Sequence, residues 1–209
     1  MILLHDYWRS SASYRVRIAL ELKQIAYERH DIALLEGLQR APEHLARNPQ
    51  GFVPTLEIDG AVLTQSLAII DYLDATRPDP PLVPRDPLAR SHVLAQALVI
   101  AADIHPVDNL RVMKRLQSQF GADQAARDDW YRHWIYEGFD ALERMAGDGP
   151  FLGGEAPNLA DICLVPQMYN ARRLEMDLAV YPKLVAADAA AAAVPEIAAA
   201  HPDRVRPTA

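Results

Sequence analysis

The chain has 209 residues, half of them hydrophobic and 23% charged, which is enough for one large or two small domains with a real core. A formal net charge of −7 argues against a nucleic-acid surface, which needs a basic stripe. The single cysteine excludes an internal disulfide, and no stretch approaches the ~20 apolar residues of a membrane span. Because the first residues also lack a signal-peptide pattern, we expect a cytoplasmic protein that binds neither nucleic acid nor membrane.

The first elements predict a βαβ unit. Residues 2–7 are short and apolar and lead into a turn, which indicates a buried strand. From Ser13, a candidate N-cap, apolar residues recur at helical spacing as far as Leu22. Residues 26–33 then predict a second strand, parallel to the first by the usual right-handed crossover.

The following segment predicts a helix, a hairpin and a further helix. Residues 42–47 predict a short polar helix. Two alternating runs flank Asp59–Gly60, a strong signal for a two-residue hairpin loop. Ser66 is then expected to cap a helix that ends near Arg77. The order β-α-β-α-β-β-α is that of an α/β thioredoxin-like domain, which we assign to residues 1–80.

Five prolines between residues 78 and 87 predict an irregular linker, assigned to 81–87, because proline lacks an amide donor and fixes φ. Everything beyond it has helical spacing, which predicts an all-α domain over residues 88–209. A long segment at 88–120 contains Pro106, which should kink or break the helix.

The remainder of that domain is predicted to contain three further helical segments. One covers about 123–145. Asn158 and Asp161 have the spacing of a capping box at the start of the next, which should end near Arg173. The alanine-rich residues 186–200 have high helix propensity but little pattern.

Five features together resemble the cytosolic glutathione transferases. They are WRSSASYRVRIAL at 8–20, VPTL at 53–56, QSLAIIDYL at 65–73, the proline-rich linker followed only by helices, and NLADICLVPQ at 158–167. The first motif is similar to the zeta class of that family. The resemblance covers essentially the whole chain, with one departure, since Ala12 stands where the class usually has cysteine.

The resemblance implies an enzyme of aromatic compound catabolism, such as tyrosine degradation, that uses glutathione as a cofactor. It would isomerise a maleyl-type dicarboxylic enedione, maleylacetoacetate or maleylpyruvate, from cis to trans, and it would form a homodimer. The residues do not decide between these two substrates. The alternatives are a transferase that conjugates or dehalogenates small electrophiles, and a non-enzymatic member of the fold that binds ligands or partner proteins.

The glutathione site is assigned by the same resemblance. Serines in a turn before a helix are usually caps, but the family match implies that one of Ser10 and Ser11 activates the thiol, with Ser10 preferred. Pro54 is expected to be cis and to turn the backbone of Val53 toward the ligand, where it can pair with the cysteinyl amides of glutathione. The other expected glutathione contacts are Gln65 and Ser66 at the γ-glutamyl end, and Gln39, Gln50, His105 and Asn109.

The substrate carboxylates are assigned to Arg9, Arg111 and Arg173. Arg9 adjoins the serine turn, whereas the other two lie in the helical part of the chain. A lone arginine is usually a solvated surface charge, but its planar fork suits a carboxylate. The sequence contains no HExxH or CxxC motif, so no metal is expected.

Overall fold

The computed structural model describes residues 1–207, which form two compact units. Unit 1 comprises Met1–Leu82 together with the chain from Ala193 onward, and unit 2 comprises Val83–Ala192. The division after Leu82 falls inside the predicted linker. Residues 208–209, the end of the predicted helical domain, lie outside the described residues.

Unit 1 is built on a four-stranded sheet in the order β2-β1-β3-β4. Its first eight elements are β1 (Leu3–Asp6), α1 (Ser11–Leu22), β2 (Glu28–Asp31), a 3₁₀ turn (Leu38–Arg40), α2 (Pro42–Arg47), β3 (Thr55–Ile58), β4 (Ala61–Thr64) and α3 (Ser66–Thr76). β1 and β2 are parallel, and the other two pairs are antiparallel. Leu4 and Leu56 pair across β1 and β3 and are fully buried, so this pair centres the core. The α/β element order is the predicted one.

The hairpin between β3 and β4 forms where the sequence places it. Ile58 pairs with Ala61, which leaves Asp59 and Gly60 as the two loop residues. Their φ angles are +53° and +78°, and a type I′ turn requires positive φ at both positions. Gly60 adopts this conformation without a Cβ penalty, and aspartate tolerates it better than most residues.

The starts of two helices differ from the prediction. Ser10, not Ser13, is the N-cap of α1: it is extended, and its Oγ accepts a hydrogen bond from Ser13 N at 3.3 Å. Ser13 is therefore already inside the first turn, as the amide donor to the cap. The prediction that Ser66 caps α3 is also wrong, because Gln65 occupies the N-cap position and Ser66 is the first helical residue.

The sequence assigns residues 88–209 to the all-α domain, and within this range the described chain from Ala193 onward packs as part of unit 1. It forms α10 (Pro195–Ala199) and α11 (Pro202–Val205). Arg17 Nε of α1 donates to Ala200 O at 3.1 Å, and Arg29 Nη1 of β2 donates to Val205 O at 2.7 Å. These long-range bonds to a buried and a half-buried arginine attach the segment to the sheet unit.

The predicted helix at 186–200 is interrupted. Val194 is extended, with φ −77° and ψ 119°, because the following proline disfavours helical geometry in the residue before it.

Unit 2 is entirely helical apart from its loops and one isolated bridge. Its elements are α4 (Pro87–Leu98), a π-helical segment (Val99–Ile104), α5 (His105–Val107), α6 (Leu110–Phe120), α7 (Gln124–Met145), α8 (Leu159–Arg173) and α9 (Pro182–Ala192). The predicted interruption near Pro106 occurs just after α5, where extended Asn109 caps α6. None of the helices within residues 1–207 is long and apolar enough to cross a lipid bilayer.

The start of α8 is the buried centre of unit 2, and it carries the predicted capping box. Asn158 Oδ1 accepts from Ala160 N at 3.0 Å, and Asp161 Oδ2 accepts from Asn158 N at 3.1 Å. Asp161 Oδ1 also accepts from Leu152 N at 2.7 Å, so the carboxylate ties the preceding loop to the helix. Burial raises the pKa of Asp161 to about 6 against the lowering effect of these amides.

Candidate active site

The turn between β1 and α1 presents two hydroxyls at the N-terminus of a twelve-residue helix. Ser10 N donates to Tyr7 O at 2.8 Å, which closes the turn and brings the Ser10 side chain over the first helical amides. Ser10 Oγ accepts from Ser13 N, so its own proton remains available to a ligand, because a hydroxyl carries one donor and two lone pairs. Ser11 is the first residue of α1 and is half-buried. Amides and the helix dipole make this end favourable for an anion such as a thiolate.

The Val53–Pro54 peptide is cis, as the resemblance implies, and both residues are buried at the start of β3. The loop before it is held by two side chains that no motif in the sequence singles out. His44 Nε2 donates to Phe52 O at 2.8 Å, and Asn48 Nδ2 donates to the same oxygen at 3.0 Å. His44 lies within α2 and Asn48 is its C-cap, so this helix sets the position of the Val53 backbone.

Helix α2 is in turn tied to the sheet by an ionic cluster. Glu57 Oε1 accepts from His5 Nε2 at 2.7 Å and from Arg47 Nε at 3.0 Å. Burial lowers the pKa of His5, although its hydrogen bond to Glu57 acts in the opposite direction. The hydrogen bond from His5 is the main cause that lowers the pKa of Glu57. Arg47 is the last residue of α2, so the cluster fixes the helix from which the Val53 loop starts.

The structure brings Gln50 and Gln65 together. Gln65 Nε2 donates to Gln50 Oε1 at 2.6 Å, and both residues are exposed. Gln65 has φ +67° and ψ +114°, a conformation that residues with a Cβ rarely adopt. Strain of this kind persists only where the surroundings impose it and is concentrated at functional sites. No local pattern in the sequence predicts this conformation.

Gln39 lies beside the same loop. A Cβ added at Gly51, whose φ is +63°, would lie 2.9 Å from Gln39 O, so the two segments touch through backbone atoms. Gln39 Oε1 is buried and accepts no hydrogen bond from residues 1–207. Glycine is therefore required at position 51 by both its φ and this close approach, which bring the Gln39 segment against the loop before Val53.

Ser66 makes one contact that the sequence did not predict. Arg15 Nε of α1 donates to Ser66 Oγ at 3.0 Å, and each residue is only 4% exposed. The two residues are 51 positions apart in the chain. The sequence feature that could have indicated this contact is Arg15 itself, a charged residue among the buried residues of α1.

Arg9 is the unit 1 candidate for a substrate carboxylate. Its guanidinium carbon lies 5.6 Å from the centre of the Trp8 ring, close enough for a cation–π contact, and the residue is half-buried. This contact orients the side chain next to the Ser10 turn.

The unit 2 candidates lie at the ends of helices. His105 is half-buried and begins α5, and Asn109 Oδ1 accepts from Arg111 N at 3.0 Å as the cap of α6. Arg111 is exposed in the first turn of α6. Arg173 is exposed at the end of α8.

Asp108, between His105 and Asn109, has the most perturbed carboxyl of this region. It is 4% exposed, and neither carboxyl oxygen has a hydrogen-bond partner within residues 1–207. Burial raises its pKa to about 8. The sequence did not distinguish it from surface aspartates. In the part of the chain that the structure describes, no group of three or more His, Cys, Asp or Glu side chains could hold a metal ion.

Comparison with known proteins places the chain in a family. The family described as "Glutathione S-transferase, N-terminal domain" matches residues 9–76, and "Glutathione S-transferase, C-terminal domain" matches residues 124–206. The chain therefore belongs to the glutathione transferase family, and the predicted thioredoxin-like and helical fold is confirmed.

Individual relatives narrow the similarity to one group of isomerases. The chain is 53% identical to a maleylacetoacetate isomerase of Rhizobium meliloti (strain 1021), with 98% of each chain covered. It resembles the solved structure of a bacterial zeta-class maleylpyruvate isomerase, with TM-score 0.96, 40% identity and coverage of 99% and 100%. A maleylacetoacetate isomerase of Methylobacterium extorquens AM1, solved with malonate and glutathione bound, has TM-score 0.93, 40% identity and 97% coverage of both chains. The predicted resemblance to this group is confirmed.

Proposed function

We propose that this protein is a glutathione-dependent enzyme that converts a maleyl-type dicarboxylic enedione, maleylacetoacetate or maleylpyruvate, to its fumaryl isomer. The observation that carries the proposal is similarity over nearly the full length to isomerases of these two substrates. A relative was solved with both glutathione and malonate bound, which supports binding of a thiol peptide and of a small dicarboxylic acid.

The residues of unit 1 fit glutathione. A bound glutathione needs an extended backbone to pair with, donors for its two carboxylates and an acceptor for its ammonium group. The backbone before the cis Val53–Pro54 peptide, the strained Gln65 and the buried acceptor Gln39 Oε1 offer such groups. Gln50 and Ser66 complete the set, and His105 and Asn109 are proposed as further contacts. When bound, glutathione supplies the thiol nucleophile whose reversible addition to the substrate double bond permits rotation.

Ser10 is proposed to hold that thiol as its anion. Its hydroxyl proton is directed away from Ser13 N, and a hydrogen bond to the charged form lowers a thiol pKa. The free amides at the start of α1 add to this effect. Ser11 is the alternative donor at the same helix end.

Arg9, Arg111 and Arg173 are proposed to bind the substrate carboxylates. In a chain of net charge −7, an acidic substrate needs local positive charge. Arginine also stabilises negative charge that develops on the oxygen of an enolate during the reaction. In this assignment residues 1–80 bind glutathione and the helical unit binds the substrate. We also propose a cytoplasmic homodimer.

A direct assay tests the function. The purified protein is incubated with each maleyl substrate, with and without glutathione, and both the fumaryl product and the remaining free glutathione are measured. We expect product only with glutathione and full recovery of the thiol. Stoichiometric loss of glutathione would instead identify a conjugating or dehalogenating transferase, and absence of turnover with either substrate would contradict the proposal.

Paired serine variants test the catalytic assignment. Ser10→Ala should lower kcat by about 100-fold, the usual scale for a lost stabilising donor, whereas Ser11→Ala should change it much less. The opposite order would transfer the role to Ser11. Normal rates in both variants would remove these hydroxyls from the mechanism.

A further inference from the structure

Helix α1 contains two buried arginines, and the structure gives them different surroundings. Arg17 Nη1 donates to both oxygens of Asp6 at 2.9 Å, and its other nitrogens donate to the backbone oxygens of Trp8 and Ala200. Its contacts are therefore those of a residue that holds the fold together. Arg15 instead directs its Nε to the hydroxyl of Ser66 on α3, a residue of the proposed glutathione site.

This contact determines the direction of the hydrogen bonds that Ser66 makes. A guanidinium has only donors, so Ser66 Oγ must accept from Arg15. The single hydroxyl proton of Ser66 must then be donated to another group. Because Ser66 is 4% exposed, its side chain cannot reorient freely into solvent. Arg15 thus makes Ser66 a donor toward whatever lies at the start of α3.

A donor at this position favours an anion. Ser66 is the first residue of an eleven-residue helix, whose N-terminal amides and dipole also favour negative charge. In the proposed site this is the γ-glutamyl end of glutathione, which carries an α-carboxylate. The buried guanidinium adds a positive charge behind the hydroxyl and strengthens it as a donor.

We infer that Arg15 is a positioning residue for glutathione: by donating to Ser66 Oγ, it orients the serine hydroxyl toward the α-carboxylate of the γ-glutamyl group. The inference rests on the proposed function for the identity of the ligand. It concerns binding of glutathione and not the chemistry of isomerisation.

Calorimetric binding of glutathione to wild type, Arg15→Met, Ser66→Ala and the double variant tests this coupling. We expect Arg15→Met to weaken binding by about 10- to 100-fold, the scale of a lost charge-assisted hydrogen bond. If Arg15 acts through Ser66, the double variant should bind within about 3-fold of Ser66→Ala. Effects that multiply in the double variant, or an unchanged affinity of Arg15→Met, would overturn the inference.

Lys23→Met is the matched control. Lys23 is also a buried cation, at the C-cap of α1, and it contacts α3 through Asp74 Oδ1 at 3.0 Å but does not contact Ser66. We expect this variant to melt at a lower temperature and to bind glutathione as wild type does. If it weakens binding as much as Arg15→Met, the effect belongs to α1–α3 packing and the inference fails.

Two further measurements separate positioning from folding. Arg15→Met should raise the KM for glutathione while kcat at saturating glutathione stays within about 3-fold, and 4-aminobutyryl-Cys-Gly, which lacks the α-carboxylate, should bind wild type and variant alike. An equal loss of affinity for both ligands would contradict the inference. Should Arg15→Met not fold, Arg15→Lys takes its place, because lysine keeps the charge but cannot reproduce the Nε contact.

The outcomes for the inference and for the proposed function are distinct. Glutathione binding without isomerisation would contradict the function while the variants still decide the role of Arg15. Wild type that does not bind glutathione would overturn both. Binding and turnover by wild type with no effect of Arg15→Met would overturn the inference alone.

Discussion

The buried carboxyl of Asp108 should make the protein less stable as pH rises, and Asp108→Asn should remove this effect. The side chain is 4% exposed without a hydrogen-bond partner within residues 1–207, and its pKa is raised to about 8. An unfolded aspartate titrates near ~3.9. Between these values the folded chain holds the extra proton, so the free energy of unfolding falls with rising pH by up to ~1.4 kcal/mol per pH unit.

The size of the effect follows from the shift. Each pKa unit corresponds to ~1.4 kcal/mol, so even half of the shift makes Asp108→Asn about 3 kcal/mol more stable than wild type near pH 8. Near pH 3, below both pKa values, the carboxyl is protonated in the folded and the unfolded chain, and the amide variant should be roughly equal to wild type in stability; near pH 5 it should already be about 1.5 kcal/mol more stable. For a chain of this length, ~3 kcal/mol corresponds to a rise in Tm of about 6–12 °C.

Urea denaturation of both proteins across this pH range measures the difference directly. Asp103→Asn is the control, because Asp103 lies in the nearby π-helical segment but is exposed. The control should follow the wild-type curve. If the curves of Asp108→Asn and wild type run parallel at all pH values, the carboxyl is ionised in the folded protein and the reasoning is refuted.

Two other predictions concern the capping box and the arginines. Asp161→Ala leaves the buried amides of Leu152 and Asn158 without their acceptor. The free energy of unfolding, measured by urea denaturation, should fall by about 3–5 kcal/mol. A fall below ~1 kcal/mol would show that other acceptors replace the carboxylate. Arg111→Ala and Arg173→Ala should lower kcat/KM for the free diacid by about 10- to 100-fold, and for its mono-ester by less. If the ratio of kcat/KM for the acid to that for the ester is the same in the variants and in wild type, both arginines are ordinary surface residues.

Sequence reasoning succeeded where a structure depends on neighbouring residues. The Asp59–Gly60 turn and the Asn158–Asp161 capping box each form within a few positions, and both appear where they were predicted. Local spacing also predicted the element order of the sheet unit. The cis peptide before Pro54 came from the family motif, since no property of a Val-Pro pair alone indicates it.

Tertiary structure decided the contacts between distant residues. Arg15 and Ser66 are 51 positions apart, and Arg17 reaches the carbonyl of Ala200 across 183 positions. Residue spacing predicts neither pairing. Helical or strand spacing indicates which face of an element is apolar, but it does not indicate which other element packs against that face.

The alanine-rich tail and Asp108 are two further cases in which the sequence predicted part of the structure and packing decided the rest. Composition alone predicted that the tail would be helical, but a proline divides its helix, and the buried Arg17 and the half-buried Arg29 attach its end to the sheet unit. Likewise the sequence by itself supplies an aspartate between His105 and Asn109 without distinguishing it from a surface charge. Only packing removes its carboxyl from water, and the loss of hydration is the physical reason that its proton is retained.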